Sequence, residues 1–128
     1  MKNTQRGFTL LELLLVIAVI GILASLAVAG YRSHLQTANR QAAVATLQLA
    51  QQAMERGFLR SSTYVNAVTA TQFNEMMPAS HTFNISSATA NAYELSATSV
   101  TDTLCGKMTI DQTGRKTPTA NIQECWGR

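Results

Sequence analysis

A chain of 128 residues is long enough for one domain and too short for two. Charged residues are 13% of it, half the usual ~25%, and with a positive mean hydropathy this leaves a membrane segment or a very apolar protein. The net charge of +3 argues little about nucleic acid, because Lys2 and Arg6 supply two of the charges and the remainder nearly balances.

The distribution decides for a membrane segment. Residues 1–7 are polar and basic. Phe8 to Ala29 then forms an apolar run with Glu12 as its only charge. As a helix rising 1.5 Å per residue it is about 33 Å long, enough to cross a hydrocarbon core of ~30 Å. We set the span at residues 8–30. Lys2 and Arg6 precede it and no acid does, so the positive-inside rule keeps 1–7 in the cytoplasm and sends 31–128 out as a periplasmic head. The alternative is a secretory signal cut after Ala27-Val28-Ala29. The run exceeds the ~7–15 residues of a signal's apolar region, and a signal has no reason to keep Glu12. A charge inside a span costs at least ~2.5–3.5 kcal/mol and points to function.

Beyond Tyr31 the helical period continues. Leu35, Ala38, Ala42, Ala45, Leu49 and Ala53 recur at three- and four-residue steps, and Leu47, Ala50, Met54 and Phe58 make a neighbouring stripe. We read both as core. No proline occurs between Phe8 and Met77, so one helix is expected from about Phe8 to about Arg60, with Gly57 fraying its end. Residues 61–80 read as a connecting loop with a short helix at 71–77. Three strands follow in residues 81–128. Phe83 and Ile85, then Tyr93, Leu95 and Ala97, then Leu104, Met108 and Ile110 alternate with polar neighbours, giving one buried and one wet face. Turns fall at 86–91, 101–103 and 112–114, with Gly114 suited to positive φ. The fold class is α+β: a long helix packed on an antiparallel meander.

Cys105 and Cys125, 20 positions apart in an exported head, read as a disulfide that holds the patternless stretch 117–125. Closing such a loop is worth roughly 3 kcal/mol. Trp126 is expected to cap the core edge. The cysteines with His34 and His81 match no metal spacing, and no cofactor is implied. No nucleophile motif, P-loop or carboxylate pair appears, which favours a structural or interaction subunit over an enzyme. Lys107, Arg115 and Lys116, with Arg56, Arg60 and Arg128, suggest a basic patch for nucleic acid. A charge pair on a turn is more often a solvated loop, and interleaved aromatics are scarce.

Gly7-Phe8-Thr9-Leu10-Leu11-Glu12 resembles the processing site of type IV prepilins. The stretch from Leu104 to Gly114 followed by Cys125-Trp126 resembles the small minor pilins, in which a disulfide bounds a C-terminal loop. The resemblance implies the pilin fold, a leader 1–7 removed after Gly7, and N-methylation of Phe8. It implies that Glu12 pairs with the amine of a neighbouring subunit during filament assembly. The partners implied are other pilin subunits through a bundle of N-terminal helices, a prepilin peptidase and methyltransferase, an inner-membrane assembly platform, and lipid before assembly. The final location implied is an extracellular pilus. Where many pilins carry proline this chain has Ala29, which implies a straighter helix. Alternatives are a major pilin, a DNA-capturing competence pilin, or a pseudopilin of type II secretion. Pseudopilins typically lack the cysteine pair and carry an acidic calcium loop that is not seen here.

Overall fold

The computed structural model describes residues 7–127; positions 1–6, with Lys2 and Arg6, on which part of the expected leader falls, and Arg128 lie outside the described residues. Helix α1 (Leu10–Ser61) starts two residues later than expected and runs without a break through Ala29. The chain forms two compact units, one ending at Leu35 and one beginning at Gln36. In the first, the apolar side chains from Phe8 to Val28 are exposed, and α1, which begins within this stretch, is long and apolar enough by length and composition to cross a membrane.

In the second unit, α1 packs one face on a four-stranded antiparallel sheet ordered β1-β2-β3-β4. Its strands are β1 (His81–Ala88), β2 (Tyr93–Ser99), β3 (Lys107–Asp111) and β4 (Lys116–Thr117). The core joins Ala43, Val44, Leu47, Ala50 and Met54 of α1 to Phe83, Leu95, Ala97, Met108 and Ile110 of the strands. Two helices frame the sheet. Asn74, the last residue of α2 (Ala70–Asn74), takes the N–H of Phe83 and gives its own amide to the Phe83 carbonyl, so a side chain pairs with the β1 edge. At the other edge α3 (Ile122–Trp126) follows a cis Thr117–Pro118 bond, and Trp126 Nε1–H donates to the Thr117 carbonyl at 2.8 Å.

Four expectations need correction. Of the two helical stripes only Leu47, Ala50 and Met54 are fully buried, with Phe58 partly so; Leu35, Ala38, Ala42, Ala45 and Leu49 are exposed, and Ala53 is half-buried. The sheet covers the line through Leu47, and most of the other stripe stays exposed. Leu104 is not on the third strand. It lies exposed in the β2–β3 loop, because Asp102 Oδ1 accepts the N–H groups of both Leu104 and Cys105 and keeps the chain turning until Lys107. A fourth strand exists where none was read: Gly114 takes φ +79° and turns the chain so that Lys116 pairs with Ile110. Gly57 does not fray the helix. A Cβ there would lie 2.6 Å from the Ala67 Cβ, so the missing side chain lets the following loop approach α1.

Candidate functional site

At the N-terminal end, Gly7, Phe8 and Thr9 lie outside the helix, exposed, ahead of the first turn of α1. Thr9 Oγ1 accepts the backbone N–H of Glu12 at 3.3 Å. Thr-x-x-Glu is the spacing of a helix capping box, and a carboxylate in the first turn also meets the positive end of the helix dipole. The cap was missed in the sequence, although Thr9 three residues before Glu12 carries the signal. Gly7, Phe8, Thr9 and Glu12 line one shallow depression, so the expected cleavage, methylation and pairing residues are grouped together.

In the head, the disulfide forms as expected. Cys105 and Cys125 are bonded with Cα atoms 5.6 Å apart, both buried, which ties the β2–β3 loop to α3. Beside it, Arg40 of α1 grips Asp102 through both carboxylate oxygens, one of them at 2.9 Å. Asp102 is almost wholly buried, and the Arg40 guanidinium, helped by the Cys105 N–H, holds its carboxyl below the usual carboxylate range. His81 lies close enough to feel both charges, and burial pushes its imidazole below the ordinary value. Nearer the end of α1, Glu55 accepts the hydroxyls of Tyr64 at 3.0 Å and Tyr93 at 2.9 Å, and Phe58 stacks on Tyr64. Burial first, and then the hydrogen bond to Glu55, raises the Tyr93 phenol well above its ordinary value. These contacts join positions 62 and 38 apart, beyond any local motif.

The three basic candidates do not form one patch. Lys107 opens β3 and alternates with the core-facing Met108 and Ile110, whereas Lys116 pairs with Ile110 and therefore shares the core-side face. Lys116 Nζ sits 5.3 Å over the Trp126 ring, at the rim of a groove of about 520 Å³ that also includes Gln48, Gln52 and Gln112. Arg115 is exposed on the β3–β4 turn, 4.0 Å from Asp111, at the far end of β3 from Lys107. Among the described residues no group of three metal-ligating side chains occurs.

A helix whose apolar start is uncovered, continued as the spine of a small sheet and closed by a C-terminal disulfide, defines a pilin-type structural subunit. The chain belongs to the family described as type IV minor pilin ComP, DNA uptake sequence receptor, whose model matches residues 29–109. The prokaryotic N-terminal methylation motif matches residues 2–28. Type II secretion system core protein G of Klebsiella michiganensis is 40% identical over 63 residues, covering 49% of this chain and 44% of that protein. Fimbrial protein Q of Moraxella bovis is 36% identical over 61 residues, 48% of this chain and 39% of that one. Type IV major fimbrial protein FimA of Dichelobacter nodosus is 51% identical over 35 residues, 27% of this chain and 22% of its own. The matches thus span less than half the length of these relatives.

Proposed function

We propose that the chain is made as a prepilin, cut after Gly7, methylated on Phe8, and held in the inner membrane by residues 8–30 with its head, 31–128, in the periplasm. An assembly platform then passes it into a type IV pilus as a minor subunit that starts or tunes the filament, and it catalyses no reaction of its own. The observation that carries this reading is the presence in one chain of the methylation motif over 2–28 and the minor-pilin match over 29–109. The exposed stripe through Leu35, Ala42 and Leu49 and the uncovered apolar helix supply faces for neighbouring helices.

In a bundle of such helices the amine of Phe8 is a cation away from water, and Glu12 lies four positions on. Glu12 neutralises the amine of an incoming neighbour, so a wrong axial register leaves a buried charge without a partner. Glu12→Gln separates this role from the cap, because Gln also serves at that position of a capping box. We expect Glu12→Gln to enter the membrane normally and to be lost from sheared filaments. Normal incorporation of Glu12→Gln beside failure of Glu12→Ala would assign Glu12 to the cap alone.

A second reading, favoured by the family description, is capture of duplex DNA by the head. Arg115 and Lys116 would then meet phosphates, with Gln48 and Gln52 lining the groove at Lys116. Full-length protein in detergent should bind duplex DNA at ~150 mM salt and weaken in Arg115→Ala/Lys116→Ala, but not in Lys107→Ala, which lies on the other sheet face. Absence of binding, or equal loss in all variants, contradicts this reading.

A further inference from the structure

We propose that Tyr31 and Arg32 anchor the unassembled subunit to lipid phosphate, and that this anchor holds Glu12 at the opposite edge of the hydrocarbon instead of inside it. This rests on the reading above that residues 8–30 lie in the bilayer, and it narrows the hydrocarbon section to 13–30. All these positions belong to the compact unit that ends at Leu35, and from Leu10 onward to one unbroken helix, so the helical rise fixes their spacing. Glu12 and Arg32 are 20 positions apart with no charged side chain between them. That is about 30 Å along the axis, one hydrocarbon thickness, and a tilt of ~20° shortens it only to about 28 Å.

The backbone sets the same edge. Gly7, Phe8 and Thr9 lie outside the helix, and the N–H of Leu13 reaches the Thr9 carbonyl at 3.2 Å, one turn back, whereas the N–H of Glu12 has the Thr9 hydroxyl. Irregular backbone and open first-turn donors are not carried in lipid hydrocarbon, so residues 7–12 belong among headgroups and water. Within the section itself Ser25 Oγ donates to the Ile22 carbonyl at 2.7 Å and needs no outside partner. At the other end Tyr31 and Arg32 are exposed directly after Gly30. A tyrosine ring suits the boundary layer, and a guanidinium meets phosphate through paired N–H groups. Phe8 lies four positions before Glu12, a rise of about 6 Å, so the Gly7–Phe8 bond falls in a headgroup layer ~5–8 Å deep, where water can reach it. Glu12 then gives up water only on entering a bundle of helices.

The test uses full-length protein, dilute in phosphatidylethanolamine/phosphatidylglycerol vesicles, with a spin label on Ala18→Cys, Ile22→Cys or Leu26→Cys; the native cysteines are bonded to each other and take no label. Depth is read from relaxation by oxygen against a water-soluble nickel chelate. The label at 22, midway between Glu12 and Arg32, should be deepest, with those at 18 and 26 equally deep. A section of 8–30 centred on Val19 would leave 26 about 9 Å shallower than 18. In Tyr31→Leu/Arg32→Leu the apolar section lengthens toward the head, so 26 should become deeper than 18. Carbon–phosphorus dephasing in solid-state NMR, with guanidinium-labelled arginine, should drop in Arg32→Gln. Unequal depths at 18 and 26 in the native chain, depths that the double variant leaves unchanged, or undiminished dephasing in Arg32→Gln would each overturn this proposal alone. Failure of the protein to float with vesicles contradicts the membrane reading itself.

Discussion

Removing Arg40 while keeping Asp102 should damage the head more than any change of similar size on its surface. The Asp102 side chain is 1% exposed and Arg40 12%, so the two partners are not equivalent. In Arg40→Met the volume is nearly kept, but the carboxylate loses its charged partner and keeps the backbone N–H groups of Leu104 and Cys105, both at 3.1 Å. Breaking a buried pair in this way costs ~3–5 kcal/mol. Protonation caps the loss: neutralising a carboxyl of ordinary pKa at pH 7 costs about 4 kcal/mol, at 1.36 kcal/mol per pH unit. We therefore expect a loss of ~3–4 kcal/mol at pH 7 that shrinks as the pH approaches 4. Asp102→Asn alone leaves Arg40 able to reach water, and its Oδ1 still accepts the same N–H groups, so it should cost only ~1–2 kcal/mol. The double variant Arg40→Met/Asp102→Asn should recover most of the stability lost in Arg40→Met. Urea unfolding of the full chain in detergent, followed by the fluorescence of Trp126, the sole tryptophan, reads all three variants. A loss under ~1 kcal/mol in Arg40→Met, or a double variant no better than that single one, would refute the coupling.

The same groups set the response to acid. His81 has a lowered pKa in the fold, so the unfolded chain takes up its proton first, and stability should decline as pH falls below the ordinary 6.5. His81→Gln should flatten that first decline in melting temperature. Asp102 and Asp111 are also lowered, so their contributions are present above the ordinary 3.8 and should be lost on further acidification through the folded values. A melting temperature constant from pH 7 to 3 would contradict both assignments. Gly57→Ala gains ~1 kcal/mol of helix propensity but drives a methyl into Ala67, and overpacking costs ~1–3 kcal/mol. We expect net destabilisation on urea unfolding; a more stable variant would mean that the loop yields freely.

What could be read without coordinates was whatever repeats locally. The apolar run from Phe8, the alternation through Tyr93, Leu95 and Ala97, and Gly114 at its turn each carry their signal within a few residues. The alternation failed at Leu104, because the loop geometry there is set by Asp102, which answers to Arg40 across 62 positions. It also missed β4, whose two residues are too few to show a period. Composition alone did not choose between the stripes of α1; the sheet did, by packing along Leu47, Ala50 and Met54. Similarly, the basic residues looked like one patch in a list of charges, and pairing register put Lys107 and Lys116 on opposite faces. The cap made by Thr9 is legible too, as a Thr-x-x-Glu spacing at the start of the apolar run.

We propose a processed pilin that leaves the membrane for a filament. Mass spectrometry of the chain in sheared, purified filaments tests it most directly. The expected product is a mature protein beginning at N-methylated Phe8, lacking residues 1–7 and retaining the whole apolar helix with the Cys105–Cys125 bond intact. A chain found in filaments with residues 1–7 attached, one cut after Ala29, or one absent from filaments altogether would contradict it.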